Sequence, residues 1–344
     1  IPHVVKAAIP AGIGLFIAFL GLQDAKLVIP SESTGVTLAS FNLLGGAGWG
    51  AVMPLIVAVF SLLLIAVLSH KKVKGSILWG ILGGTGLYYI LGFTVKDFYK
   101  GFAETLSFNP FKPFSAFASE AFGKVFTEGF DFSAYLSADG HSVGGLVILF
   151  ITTALAFCMV DMFDTLGTLY GACRGGNLLV KNDKGELEVP NMDRAMMADA
   201  VATCTGSVLG TSTVTTFVES SAGVAAGGKT GVTSLVTAAA FAVALFFAPI
   251  AKLIPPYAYG AALIYVGVLM IGSVKDIDWK DVSVSVPAFL TIAMMPFTYN
   301  ISYGIAFGLF SYVIIKAFCG EIKQIKIGTW VVTALFVAMF FLTH

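Results

Sequence analysis

The stretch LVILFITTALAFCMVDMFDTLGTLYGA, residues 146–172, decides the fold. It is long enough to cross a bilayer as a helix, which takes about 20 predominantly apolar residues. Yet it carries Asp161 and Asp164, with no Lys or Arg to neutralise them. A carboxylate at membrane depth is costly to bury, and such residues mark substrate or ion pathways. A second run, LGTSTVTTFVESSAGVAAGG (209–228), sets Glu219 among small and hydroxyl residues, and Asp199 is a fourth acid in an apolar segment. These acids predict a polar pocket inside a membrane.

Composition fits that frame. Hydrophobic residues make up 57% of the 344 and charged residues only 12%, against about 25% charged in soluble domains; mean hydropathy is +0.88. The chain reads as an all-α polytopic membrane protein, with the lipid bilayer as its first partner. Twenty basic residues balance twenty acidic ones, so no positive field exists to attract nucleic acid. Cys158, Cys173, Cys204 and Cys319 show neither CxxC nor Cys/His spacing, so no metal site, disulfide framework or cofactor is expected. His3, His70, His141 and His344 lie outside the apolar runs, which disfavours a histidine proton relay.

A 20-residue ruler predicts spans near 5–22, 51–69, 74–92, 143–172, 194–210, 229–253, 258–274, 284–298 and 302–318. The run 329–342 is too short to assign. Residues 211–228 differ in kind: the β-branched TSTVTTFV disfavours a helix, whereas SSAGVAAGG permits close packing. That pattern predicts a broken helix, with a short extended stretch near 211–217 and then a half-helix. If this segment also crosses and residues 1–4 are cytoplasmic, most Lys and Arg, from Lys6 through Lys71 to Lys326, fall on the cytoplasmic side. The excursion 96–142 falls outside, and its FKPFSAFASEAFGKVF (111–126) is expected to pack against the bundle. Internal symmetry is faint: GIGLFIAFLGL (12–22) resembles GAALIYVGVLM (260–270), so 1–92 reads as the counterpart of 255–318. The chain opens on IPHVVKAAIP with no initiator Met and no signal-peptide pattern, and it is expected to begin partway through a larger protein.

On a helix, Asp161 and Asp164 share a face with Thr165 and Thr168. Two neighbouring acids in a low dielectric cannot both ionise cheaply, so one is expected to hold a proton. Asp199, in MDRAMMADA (192–200), is expected to pair with Arg194 or to stabilise its helix terminus. Glu219 lies where the extended stretch meets SSAG (220–223), so freed backbone N–H groups and a carboxylate face one ligand. A flat, neutral heteroaromatic with N–H donors and carbonyl or ring-nitrogen acceptors suits that mixture.

VDMFDTLGTL (160–169), GTSTVTTFVESSAGVAAGGKTG (210–231), IPAGIGLFIAFLGLQ (9–23) and PPYAYGAALIYVGVLM (255–270) carry a resemblance over essentially the whole chain. They resemble the adenine/guanine/hypoxanthine permeases, the AzgA-like branch of the nucleobase-ascorbate transporter superfamily. The resemblance implies fourteen helices in two inverted repeats of seven, divided into core and gate domains. This chain would then start at the fifth helix, without the four preceding core helices. Residues 1–95 would be the first half of the gate, 96–142 an extracytoplasmic loop, 143–254 the second-repeat part of the core, 255–320 the second half of the gate and 321–344 a C-terminal segment. It also implies purine import by proton symport across the cell membrane, in a homodimer. Asp161 and Glu219 match the two principal base-binding acids and would couple the proton; Asp164, Thr165, Thr213 and Phe217 complete the expected site.

Other readings fare worse. The DMFD spacing invites comparison with aspartate-rich prenyltransferases, but a second such motif and a cationic clamp are missing, as are HExxH and GxSxG. An enzyme is not expected. An anion transporter would want a positive site, whereas a permease for xanthine, urate or uracil is the alternative nearest in chemistry.

Overall fold

The computed structural model describes residues 2–42, 48–95, 98, 114–115, 117–137, 142–181, 187–247 and 251–343. Residues 96–97, 99–113, 116 and 138–141 of the polar excursion lie outside them. The apolar runs form helices: α1 (His3–Asp24), α2 (Trp49–His70), α3 (Ser76–Gly92), α4 (Val143–Gly175), α5 (Met192–Leu209), α6 (Ser220–Ala225), α7 (Gly231–Phe246), α8 (Pro256–Met270), α9 (Val282–Thr298), α10 (Ile301–Phe318) and α11 (Ile327–Thr343). Five segments among the described residues, α1, α2, α4, Pro256–Asp276 and α10, are long and apolar enough to span a bilayer. Large apolar side chains such as Phe93, Phe297 and Phe318 stand exposed on these helices and their ends. Helices apolar on every face belong in lipid, and the chain is a multi-pass membrane protein.

Local chemistry sets the helix starts. The Ser142 hydroxyl accepts the Gly145 N–H at 3.1 Å to open α4, and Asp281 accepts the Ser283 N–H at 2.8 Å to open α9. Asn300 accepts from Ser302 and Tyr303 at 2.9 and 3.4 Å to open α10. Each satisfies backbone donors that the first turn of a helix leaves unpaired. Two small antiparallel hairpins join helices: β1 (Val28–Ser31) with β2 (Gly35–Leu38), Val28 opposite Leu38, and β3 (Val180–Lys181) with β4 (Leu187–Glu188), Val180 opposite Glu188.

The chain divides into two compact units. One comprises Phe16–Ser115 and Ala222–Leu269. Within it α1 and α8 cross backbone to backbone at two glycines: a Cβ on Gly21 would lie 2.6 Å from the Gly260 carbonyl oxygen, and one on Gly260 2.8 Å from that of Gly21. Small residues permit such approach between membrane helices. The crossing joins the two stretches whose sequences resemble each other. Helix α3 likewise seats Gly80 and Gly84 on Ile65 and Ser61 of α2, and Ile65 is buried with Ala261 and Ala262 of α8.

The other unit comprises Ile1–Leu15, Ala116–Ser221 and Met270–His344. Ile9 and Ile13 of α1 fill the space above Gly167 of α4, while Pro10 and Met270 lie against Gly171. Helices α9 and α10 form a tight hairpin, with Gly304 and Gly308 set on Met295 and Thr291. The run at 329–342, too short to assign from sequence, belongs to α11. Its Phe336 is fully buried and stacks on Phe163 of α4 at 5.4 Å between ring centroids. Part of the polar excursion packs here as expected: the Gly123 N–H donates to the Val208 carbonyl at 3.1 Å, and the Ala121 backbone lies against Gly210 at the end of α5.

Candidate functional site

Three segments of the second unit build the site: α4, α5 and the stretch that follows α5. Helix α5 stops at Gly210, whose φ of +74° closes the last turn in the left-handed region that glycine adopts without strain. Residues 211–217 are then neither helix nor strand, and after a turn at Val218 and Glu219 the six-residue α6 begins. The break stands where the β-branched residues predict it.

Two carboxylates hold this stretch in place. Asp161 of α4 accepts the Thr213 hydroxyl at 3.2 Å and lies 3.4 Å from the Thr203 hydroxyl of α5. Thr203 also reaches the Val214 carbonyl at 2.9 Å, so one of the backbone groups freed by the break is satisfied from a neighbouring helix. Asp199 of α5 accepts from Thr165 of α4 at 2.7 Å and from Thr216 at 3.2 Å. Because Thr165 spends its proton on Asp199, it accepts from Thr215, 2.9 Å away. Thr165 and Thr168 are fully buried and Asp199 is 8% exposed.

The sequence-predicted residues fall into three groups. Asp161, Thr165 and Thr213 meet in this network, with a carboxylate that still has lone pairs to offer. On the same helix, Asp164 Oδ1 and Thr168 Oγ1 are buried without a hydrogen-bond partner among the described residues; buried polar atoms of that kind call for a ligand or water. Glu219 stands exposed in the turn just ahead of α6, and Phe217, 56% exposed, lies beside it in sequence with its ring outside the network.

The reading of Asp199 is corrected. It neither pairs with Arg194, which is exposed, nor serves its helix terminus: it lies a turn and more into α5, facing α4. Thr203 escaped the sequence reading, and Thr215 and Thr216 entered it only as β-branched residues of the extended stretch, not as site residues. One signal was present, since Asp199, Thr203 and Gly206 recur at helical spacing and mark a polar, small-residue stripe on α5. Among the described residues no group of three or more His, Cys, Asp or Glu side chains is placed to hold a metal ion.

The Permease family profile matches residues 1–307. A putative permease of Methanocaldococcus jannaschii is 38% identical over 341 residues, covering 99% of this chain and 69% of that protein. The guanine/hypoxanthine permease PbuO of Bacillus subtilis is 37% identical, covering 99% of this chain and 71% of its own. The adenine permease AdeQ of Escherichia coli is 32% identical, over 98% and 67%. The intramembrane acids, the interrupted helix and these relatives agree: the chain belongs to the permease family of the nucleobase-ascorbate transporters, and is a membrane transporter and not an enzyme.

Proposed function

We propose that this chain imports a purine nucleobase, adenine, guanine or hypoxanthine, together with a proton. The observation that carries the reading is Asp161: a helix-borne carboxylate at the edge of a broken stretch, three residues from an acid with a buried, unpartnered oxygen. The names of relatives at 32–37% identity, adenine and guanine/hypoxanthine permeases, support the substrate class.

In this reading Asp161 and Glu219 accept ring N–H groups of the base, and Asp164, Thr165, Thr213 and Phe217 complete its surroundings. A neutral base avoids setting an anion beside carboxylates in low dielectric. Among the described residues the acids have no cation in the network, so a proton offsets their charge and travels with the base, through Asp161 or Glu219. Residues 143–254 act as part of the core and 1–95 with 255–320 as the gate, in a homodimer. The alternative substrate, xanthine, urate or uracil, differs in the carbonyl pattern of its edge and is resolved by competition.

Radiolabelled hypoxanthine and adenine uptake by cells expressing the complete gene product tests the assignment. Asp161→Asn and Glu219→Gln should each abolish uptake at unchanged membrane abundance, because loss of a charged hydrogen-bond partner costs about 1.5–3 kcal/mol. Uptake at the wild-type rate in both variants would remove these residues from the site.

A further inference from the structure

Helices α2 and α3 form a hairpin within the unit that comprises Phe16–Ser115 and Ala222–Leu269. An open groove of about 590 Å³ runs along it, walled by Leu64, Leu68, Val73, Trp79, Leu82 and Gly83, with no charged side chain. The two helices come closest at Gly83, where a Cβ would lie 2.6 Å from a methyl carbon of Leu64. At the loop end, Val73 and Trp79 continue the same wall. Val73 stands between Lys72 and Lys74 in the connection HKKVKG (70–75), so the groove ends on three lysines. Lys71, Lys72 and Lys74 are all exposed, and none is in an ion pair among the described residues. No Asp or Glu occurs from residue 33 to residue 96. Lys72 even keeps its side chain at a φ of +56°, where glycine would be the less strained choice. Helix α3 then starts behind Gly75, which offers no side-chain acceptor, so the N–H groups of its first turn add to the positive end.

We propose that this hairpin binds one anionic phospholipid of the cytosolic leaflet, with an acyl chain in the groove and the headgroup phosphate on Lys71, Lys72 and Lys74. The distribution of basic residues places the connection on the cytosolic side, where the leaflet carries anionic lipid and basic pockets between membrane helices take anionic headgroups. Trp79, in the first turn of α3 and 57% exposed, suits the depth of the headgroups, where indole rings concentrate. Charge decides among the candidate occupants. A zwitterionic lipid would fill the groove and leave three like charges unmatched, and free phosphate would match the charges and leave the groove bare. An anionic phospholipid satisfies both. None of these residues belongs to the acid network, so the inference stands apart from the purine reading.

The test compares unfolding midpoints of the complete gene product in nanodiscs of phosphatidylcholine alone and of phosphatidylcholine mixed with phosphatidylglycerol. Phosphatidylglycerol should raise the wild-type midpoint, and native mass spectrometry should find one such lipid retained per chain. Lys71→Gln, Lys72→Gln and Lys74→Gln together should abolish both effects while matching the wild type in phosphatidylcholine alone. Leu82→Trp, which fills the groove from an exposed wall position, should do the same. Lys323→Gln with Lys326→Gln, which removes two exposed lysines elsewhere in the chain, should keep both effects. An equal loss in that control would mean general attraction to a charged surface and would overturn the proposal. So would a rise in midpoint produced by inorganic phosphate in phosphatidylcholine nanodiscs, or a retained phosphatidylglycerol in the triple Gln variant.

Discussion

Thr165 is the residue on which the Asp199 carboxylate and the broken stretch both depend. It donates to Asp199 and accepts from Thr215, so replacing its hydroxyl with the methyl of Val leaves the buried Asp199 carboxylate and the half-buried Thr215 hydroxyl one partner short. Such a group costs about 1–3 kcal/mol. Thr165→Val should lower the unfolding midpoint of the purified protein and reduce uptake, whereas Thr165→Ser should stay near the wild type. Asp281 offers a pH test away from the site. The Ser283 hydroxyl and amide hold its carboxyl below the usual carboxylate range. Its contribution to capping α9 is therefore complete above the ordinary value of about 3.9 and is lost as pH falls through the lower folded one. Unfolding midpoints measured from pH 6 to pH 3 should fall less steeply in Asp281→Asn. At this scale the inward-set Asp161 and Asp164 were legible, because an acid in an apolar run has few structural explanations, whereas Glu219 stands exposed outside the network. The partners of Asp199 were not, since Thr165 and Thr216 lie 34 and 17 residues away and only folding brings them together.

The decisive element is the break between α5 and α6. Its Thr side chains do two things at once: β-branching weakens the helix, and the hydroxyls bond to Asp161, Thr165 and Asp199. Replacing Thr213, Val214, Thr215 and Thr216 together by Ala removes both effects. Helical content by circular dichroism should rise and uptake should disappear while expression persists. An unchanged spectrum with normal uptake would show that the stretch is held by something else. Close crossings make a separate case. A Cβ on Gly260 would lie 2.8 Å from the Gly21 carbonyl oxygen and 3.0 Å from the Ala25 nitrogen. Overpacking of this kind costs about 1–3 kcal/mol, so Gly260→Ala should lower the thermal midpoint. Gly223→Ala, with nothing within 4 Å of the new methyl, should not. The span positions were readable because length and hydropathy suffice for them. The β1–β2 hairpin and α11 were not: a ruler for long apolar runs passes over four-residue strands, and α11 is seated by ring contacts between segments far apart in sequence, Phe336 on Phe163 and Phe340 against Tyr303, Phe307 and Phe310.

For the whole molecule, sequence similarity between 12–22 and 260–270 hinted at a duplicated architecture, and the Gly21–Gly260 crossing brings those stretches together. Hydropathy could not give that contact, because a lipid-facing and a helix-facing glycine read alike. In the proposed reading, function at this scale is a coupling between flows. A neutral purine that moves with one proton carries net positive charge, so its uptake should be electrogenic and should need no sodium. The most direct measurement reconstitutes the complete gene product in liposomes and follows lumenal pH as hypoxanthine is added outside, for the wild type and Asp161→Asn in parallel. The wild type should acidify the lumen in sodium-free buffer, faster when the interior is negative, and Asp161→Asn should do neither. Hypoxanthine entry that leaves lumenal pH unchanged and ignores membrane voltage would contradict the account.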